Sequence, residues 1–90
     1  MKQILLITTK GCKGCSIMHQ LVTDALDSIS NKNIEFVEKD VETVDKKWLF
    51  TNKIFDFPTI LFINSDIITF KYTGTMPAPV IIRWIKLYLK

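Results

Sequence analysis

Arginine is almost absent from this 90-residue sequence, where Arg83 is the single example and the lysines are scattered. A nucleic-acid-binding surface needs clustered basic side chains, so the net charge of +3 predicts a solvated lysine surface and no nucleic-acid partner. Long apolar runs are also missing. The run Ile4–Ile7 is far shorter than the about 7–15 residues of a secretory signal or the roughly 20 of a membrane span. We therefore expect a cytoplasmic protein with no membrane partner.

Cysteine is scarce too, and the two cysteines lie together in Cys12-Lys13-Gly14-Cys15. In a reducing compartment such a pair is seldom a structural disulfide and is more often catalytic, redox-sensing or metal-binding. The pair follows an apolar run and precedes a helical pattern, and that position is typical of a redox dithiol. The alternative is that both are small buried apolar side chains, which is the less frequent case for this spacing.

The periodicity of apolar residues predicts a single domain over residues 1–90 with the element order βαβαββα. Strands are predicted over residues 3–8, 34–39, 59–63 and 67–72, and helices over 13–29, 44–51 and about 77–89. The first strand is apolar on both faces, which predicts a buried central position in the sheet. Asn31-Lys32-Asn33 is expected to end the first helix, and Asn64-Ser65-Asp66 to form a hairpin turn. A helical crossover implies a parallel strand pair and a tight turn an antiparallel one. The expected fold class is α/β, a mixed four-stranded sheet with flanking helices.

This element order, with Cys-x-x-Cys at the first strand-to-helix junction, resembles the thioredoxin family. Phe57-Pro58-Thr59, followed by an apolar strand, is similar to the family's cis-proline segment, and Gly74 follows Pro58 by 16 residues. That spacing is closer to thioredoxin itself than to glutaredoxin. The extra N-terminal strand and helix of full thioredoxins are missing, so the chain resembles the minimal, glutaredoxin-sized form of the fold.

The resemblance implies a thiol–disulfide oxidoreductase that needs no bound cofactor beyond its own Cys12–Cys15 disulfide. Its expected partners are disulfide-containing proteins and an upstream reductase or glutathione. Cys12 is expected to be the exposed nucleophile and Cys15 the buried resolving thiol. The positive end of the following helix favours a Cys12 thiolate, and Lys10 and Lys13 add positive charge nearby.

The expected substrate-binding residues surround this pair. They are Gly11, Lys13, Phe57, Pro58, Thr73 and Gly74. A cis Pro58, which the resemblance implies, leaves the backbone of Phe57 free to pair with an extended substrate segment. Packing is an equally common role for Phe57, and turn formation is one for Gly74. We expect a monomer, although the very apolar last helix leaves a weak homodimer open.

Three positions depart from the family pattern. Gly11 stands in place of the tryptophan before the first cysteine, Leu6 in place of a buried aspartate, and Gln20 in place of a helix-kinking proline. The family's aspartate is thought to take the proton of the resolving cysteine, so we expect slower resolution here. Glu38 or Asp40 is a candidate substitute through water, although a solvated surface charge is the commoner role.

Two other functions stay open. One is a glutaredoxin-like enzyme that uses glutathione, although Lys10 is the single evident candidate for binding one of its carboxylates. The other is a non-enzymatic binding or metal-carrying protein of the same fold. Cys12, Cys15 and His19 offer three metal ligands, but the sequence shows no fourth, so no metal site is predicted.

Overall fold

A computed structural model describes residues 1–30 and 33–89 of the chain. The elements in chain order are β1 (Lys2–Thr8), α1 (Lys13–Ile29), β2 (Ile34–Asp40), a 3₁₀-helix (Val41–Thr43), α2 (Lys46–Thr51), β3 (Thr59–Asn64), β4 (Ile67–Thr73) and α3 (Ala78–Tyr88). The predicted order βαβαββα is confirmed. The predicted turn at Asn31-Lys32 lies outside the described residues.

The four strands form one mixed sheet in the order β2-β1-β3-β4. β1 runs parallel to β2 and antiparallel to β3, and β4 returns antiparallel to β3. Leu6 is opposite Glu38 on β2 and opposite Ile60 on β3. Because directly paired residues point to the same face of a sheet, these three side chains share one face, with Glu38 on the edge strand.

Each face of the sheet carries its own apolar cluster, which explains why β1 is apolar at successive positions. Ile4 and Leu6 pack against α1 and α3 in a cluster that also holds the fully buried Met18 and Val22. Leu5 and Ile7 belong to the second cluster, which covers the opposite face. Its other buried members are Leu49, Ile54 and Leu61. The interior position predicted for β1 is therefore confirmed.

The second helix is shorter than the periodicity indicates, beginning at Lys46 rather than near Val44. The carboxylate of Asp45 accepts a hydrogen bond from the Lys47 N–H at 3.2 Å and caps the helix. Asp40 caps the preceding 3₁₀-helix in the same way, accepting from the Glu42 N–H at 2.9 Å. Aspartate is a favoured N-cap. The two caps therefore separate the 3₁₀-helix from α2, a boundary that the spacing of apolar residues does not indicate.

The apolar last helix, α3, packs mainly on the sheet and on α1. Ile81 and Ile85 are buried, and the ring of Tyr88 stacks on Phe70 with centroids 4.5 Å apart. Leu87 stays 56% exposed. Within residues 1–30 and 33–89, helices that combine the length and the apolar character needed to cross a bilayer are not found.

Candidate redox site

The site begins where β1 leaves the sheet and the chain turns into α1. Gly11 has a positive φ of 71°, in the left-handed region that glycine adopts most readily. Cys12 is then the N-cap of α1, with φ −90° and ψ 104°, and its Sγ accepts a hydrogen bond from the Cys15 N–H at 3.1 Å. The sulfur of Cys12 thus lies among the free N–H groups at the positive end of the helix.

A disulfide joins Cys12 to Cys15 across the first turn of α1. Their Cα atoms are 5.3 Å apart, within the usual range for a bridged pair. Cys15 is 4% exposed, whereas Cys12 is half-buried at the surface. This difference in exposure is compatible with an accessible, nucleophilic first sulfur and a shielded second sulfur.

Pro58 borders the cysteine turn from the other side of the site. Its peptide bond with Phe57 is cis, and its ring lies directly against Gly14. The carbonyl of Pro58 accepts a hydrogen bond from the Gly74 N–H at 2.9 Å. Gly74 has a φ of 119°, which favours glycine. The fold therefore brings Pro58 and Gly74 together beside the cysteine turn, although both residues are distant from the cysteines in sequence.

Two other residues predicted to bind substrate, Phe57 and Thr73, differ in their exposure to solvent. Phe57 is half-buried and packs against the second apolar cluster, which includes Leu49 of α2. The structure therefore shows a packing role for Phe57. Thr73 is exposed, and its hydroxyl lies 3.1 Å from that of the fully buried Thr59. Thr59 also donates to the carbonyl of Asp56 at 2.6 Å. Sequence reasoning missed Thr59, since a threonine at a strand start carries no signal of burial.

The two lysines expected near the thiolate differ in position. Lys13 follows Cys12 directly, and both residues line a surface cleft beside the disulfide. Lys10 lies outside that lining, and its Nζ is 3.8 Å from a carboxylate oxygen of Glu42 in an exposed ion pair. Exposed pairs of this kind contribute little, but the neighbouring carboxylate partly neutralises the charge that Lys10 presents.

A surface cleft runs along the disulfide between α1 and the carboxyl ends of β1 and β2. Its lining consists of Thr8, Thr9, Gly11, Cys12, Lys13, Cys15, Ser16 and Glu38. Thr8, Thr9 and Ser16 carry no distinguishing signal in the sequence, because small polar side chains beside a turn are common. Of the two acidic residues expected as candidate proton acceptors, Glu38 and Asp40, the cleft lining includes Glu38.

His19, the third possible metal ligand, lies beside Glu38 and Phe36 on the surface of α1. Its Nδ1 lies 3.4 Å from Glu38 Oε1, and its ring centroid is 5.1 Å from that of Phe36. Across the described residues, the structure shows no group of three or more histidine, cysteine or acidic side chains arranged to hold a metal ion.

The mixed sheet β2-β1-β3-β4 with its flanking helices, and a cysteine pair at the start of α1, define a thioredoxin-fold protein. Solved structures of other proteins have the same fold. A malarial protein shares the fold at a TM-score of 0.80 with 16% identity, covering 100% of this chain and 99% of that one. The malaria parasite's thioredoxin-2, described as a component of its protein secretion machinery, has a TM-score of 0.80 and 14% identity. The two chains are covered to 97% and 82%.

Chloroplastic thioredoxin z is similar to the same degree, with a TM-score of 0.79, 17% identity, and coverage of 99% of this chain and 79% of its own. Identities this low show a shared fold, and the predicted thioredoxin-like fold is thereby confirmed. No protein-family model matches the sequence, and no curated protein matches it either. The fold together with the close cysteine pair fits thiol–disulfide exchange in general terms.

Proposed function

We propose that this protein is a thiol–disulfide oxidoreductase that exchanges its Cys12–Cys15 disulfide with the disulfides of protein substrates. The observation that carries the proposal is the asymmetry of the pair. Cys12 caps α1 and borders an open cleft, whereas Cys15 is 4% exposed one turn further along. A structural disulfide does not require its two sulfurs to differ in exposure. An exchange reaction requires one accessible sulfur that reacts with the substrate and a second, shielded sulfur that later displaces the substrate.

In the reducing direction, the Cys12 thiolate attacks one sulfur of the substrate disulfide and displaces the other as a thiolate. A mixed disulfide then joins Cys12 to the substrate. Cys15 loses its proton and attacks the Cys12 sulfur, so the Cys12–Cys15 bond forms and the second substrate thiolate leaves. Two electrons pass from the dithiol to the substrate. An upstream dithiol reductase or glutathione restores the dithiol.

The helix terminus supplies the electrostatic part of this chemistry. The Cys15 N–H already donates to Cys12 Sγ in the disulfide, and the same donor is placed to stabilise a thiolate on Cys12 after reduction. Lys13, which lines the cleft together with Cys12, adds a positive charge there.

An extended substrate segment is expected to lie across Pro58, between Phe57 and the β4 end at Thr73 and Gly74. Pro58 has no N–H to donate, and a segment beside Phe57 gains main-chain hydrogen bonds that are independent of its sequence. Such binding suits a protein that acts on many disulfides. We further propose that the protein works as a monomer in the cytoplasm.

Reduction of insulin disulfides by a small dithiol reductant tests the proposal. The wild-type protein should accelerate the reaction, and Cys12→Ser should abolish the acceleration. Cys15→Ser should instead accumulate a covalent mixed disulfide at Cys12, visible as added mass that a reductant removes. Glutathione as the sole reductant provides a parallel arm for the glutaredoxin-like alternative. A wild-type protein no faster than the uncatalysed reaction with either reductant would refute the proposed function.

A further inference from the structure

Resolution of the mixed disulfide requires a group that accepts the proton of Cys15, and the described core residues do not supply one. Cys15 must lose its proton before it attacks, yet it is 4% exposed. Leu6, on the strand below, is fully buried and has no group that accepts a proton. Thr59 is the one buried polar side chain in the part of the chain that the structure describes, so no carboxylate is buried there, and a candidate acceptor lies in the cleft instead. Among the described residues that line the cleft, Glu38 is the one carboxylate.

The position of Glu38 follows from the register of the sheet. It pairs with Leu6 across the parallel β1–β2 ladder, so it points to the face that α1 covers. Because β2 is the edge strand, the carboxylate reaches water at the margin of that face, with 41% of its side chain exposed. The carboxylate therefore borders the same water-accessible cleft as both cysteines.

A side chain of α1 lies close to this carboxylate. Nδ1 of His19, one turn beyond Cys15 on α1, lies 3.4 Å from Glu38 Oε1. The His19 ring in turn lies 5.1 Å from the ring of Phe36, which packs against the core cluster. The Glu38 carboxylate thus lies within ion-pair distance of a side chain on the helix that carries the cysteines.

We propose that Glu38 accepts the proton of Cys15 through a cleft water when the mixed disulfide resolves, and that His19 is the positioning residue for its carboxylate. This inference rests on the proposed function. The proton leaves Cys15 Sγ for the water while the water gives a proton to Glu38. The Cys15 thiolate then forms the bond to Cys12, the Cys12–substrate bond breaks, and the departing substrate thiolate takes up a proton from Glu38 or from solvent.

Several other charged groups surround Glu38, and their positions separate them from this role. Lys13 lines the cleft from α1 with an ammonium group, which has no lone pair to accept a proton, and β1 contributes the apolar Leu6. On its own strand, Asp40 is occupied in capping the 3₁₀-helix. Lys39 pairs with Ile7 and so belongs to the opposite face of the sheet.

The sign of one substitution distinguishes proton transfer from simple electrostatics. Glu38→Gln removes a negative charge beside the cysteines. If charge alone mattered, the more positive site would favour the Cys15 thiolate and speed resolution. If Glu38 accepts the proton, the same substitution slows resolution, because a general base contributes roughly 10²–10⁴-fold and bulk water replaces it only in part.

A single-turnover reaction with an aromatic disulfide that releases a coloured thiolate measures both steps. The first equivalent of coloured thiolate reports attack by Cys12, and the second reports resolution by Cys15. Near pH 7, Glu38→Gln should slow the second phase by about tenfold or more and change the first by less than about twofold. The difference should shrink as the pH rises, because hydroxide then replaces the carboxylate as acceptor.

Matched variants complete the experiment. Glu35→Gln removes the same charge from the same strand but from the opposite sheet face, where Glu35 accepts a hydrogen bond from Gln3 at 2.8 Å, and it should leave both phases unchanged. Glu38→Asp should recover part of the second-phase rate. His19→Phe keeps the ring against Phe36 but removes the nitrogen facing Glu38, and it should slow the second phase less than Glu38→Gln does.

The inference is overturned if Glu38→Gln resolves at the wild-type rate or faster, or if it slows both phases equally at every pH. The second pattern would show a structural role. A wild-type protein that gives a first phase and no second phase would refute the proposed dithiol function itself, which is a separate result.

Discussion

Gly14 and Pro58 are in contact across the redox site, so closely that a Cβ added to Gly14 would lie 3.3 Å from Pro58 Cδ and 3.5 Å from Thr75 Cγ2. These distances join the first turn of α1 to the loops before β3 and after β4. The contact explains why a residue without a side chain follows Lys13. It also means that the cysteine turn is held in position by segments distant in sequence.

A branched side chain at position 14 is therefore expected to disturb both stability and activity. Gly14→Val should lower the free energy of unfolding by about 1–3 kcal/mol, the usual cost of overpacking, and slow insulin reduction. Urea denaturation and the insulin assay measure the two effects. Gln20→Val places the same side chain on an exposed position of α1 and should cost less than about 1 kcal/mol. Equal losses in the two variants would contradict the packing argument.

The buried hydroxyl of Thr59 predicts a second effect on stability. Thr59→Val keeps the shape of the side chain but leaves the Asp56 carbonyl without its 2.6 Å partner, at a cost of about 1–3 kcal/mol. Thr73→Val is the matched control. It removes the other member of the 3.1 Å pair, keeps the bond to Asp56, and should cost about 0.5 kcal/mol. Denaturant midpoints of the two variants test the order, and a Thr73→Val loss as large as that of Thr59→Val would contradict it.

Lys13 is expected to raise the reduction potential, because stabilising the Cys12 thiolate stabilises the reduced form. Lys13→Gln should lower the potential by about 10–20 mV, the equivalent of an exposed charge interaction of about 0.5–1 kcal/mol in a two-electron couple. Equilibration in glutathione buffers measures the shift, and added salt should reduce it. Lys47→Gln, on α2 and outside the cleft lining, serves as control. An unchanged or higher potential for Lys13→Gln would exclude this role.

The unequal burial of the two sulfurs predicts selective modification of the reduced protein. Brief treatment with iodoacetamide should label Cys12 at least about tenfold faster than Cys15, because the thiolate must be both formed and accessible. Peptide mapping by mass spectrometry gives the ratio. In unfolded protein the two sites should react at similar rates, and a native ratio near one would argue against Cys12 as the sulfur that meets substrate.

Much of the fold was predictable because its signals are local. Four apolar residues in succession indicated an interior β1, a change of period marked α1, and Asn64-Ser65-Asp66 marked the hairpin between β3 and β4. The start of α2 was not predictable from periodicity, since Val44 fits the apolar pattern as well as the true helix does. The capping bond of Asp45 decides that boundary, and a cap depends on backbone geometry as well as residue type.

For the site, the sequence by itself determined the pair of sulfurs and their place before a helix, because a three-residue separation brings two side chains together on one helical turn. Only the tertiary structure decided what surrounds them. Glu38 and Asp40 are equivalent in sequence as acidic residues on or beside β2. The register that pairs Leu6 with Glu38 brings Glu38 to the cleft, while Asp40 caps the turn that follows. Strand register depends on which apolar side chains of distant segments come to share a buried face, so the residues around Glu38 do not specify it alone.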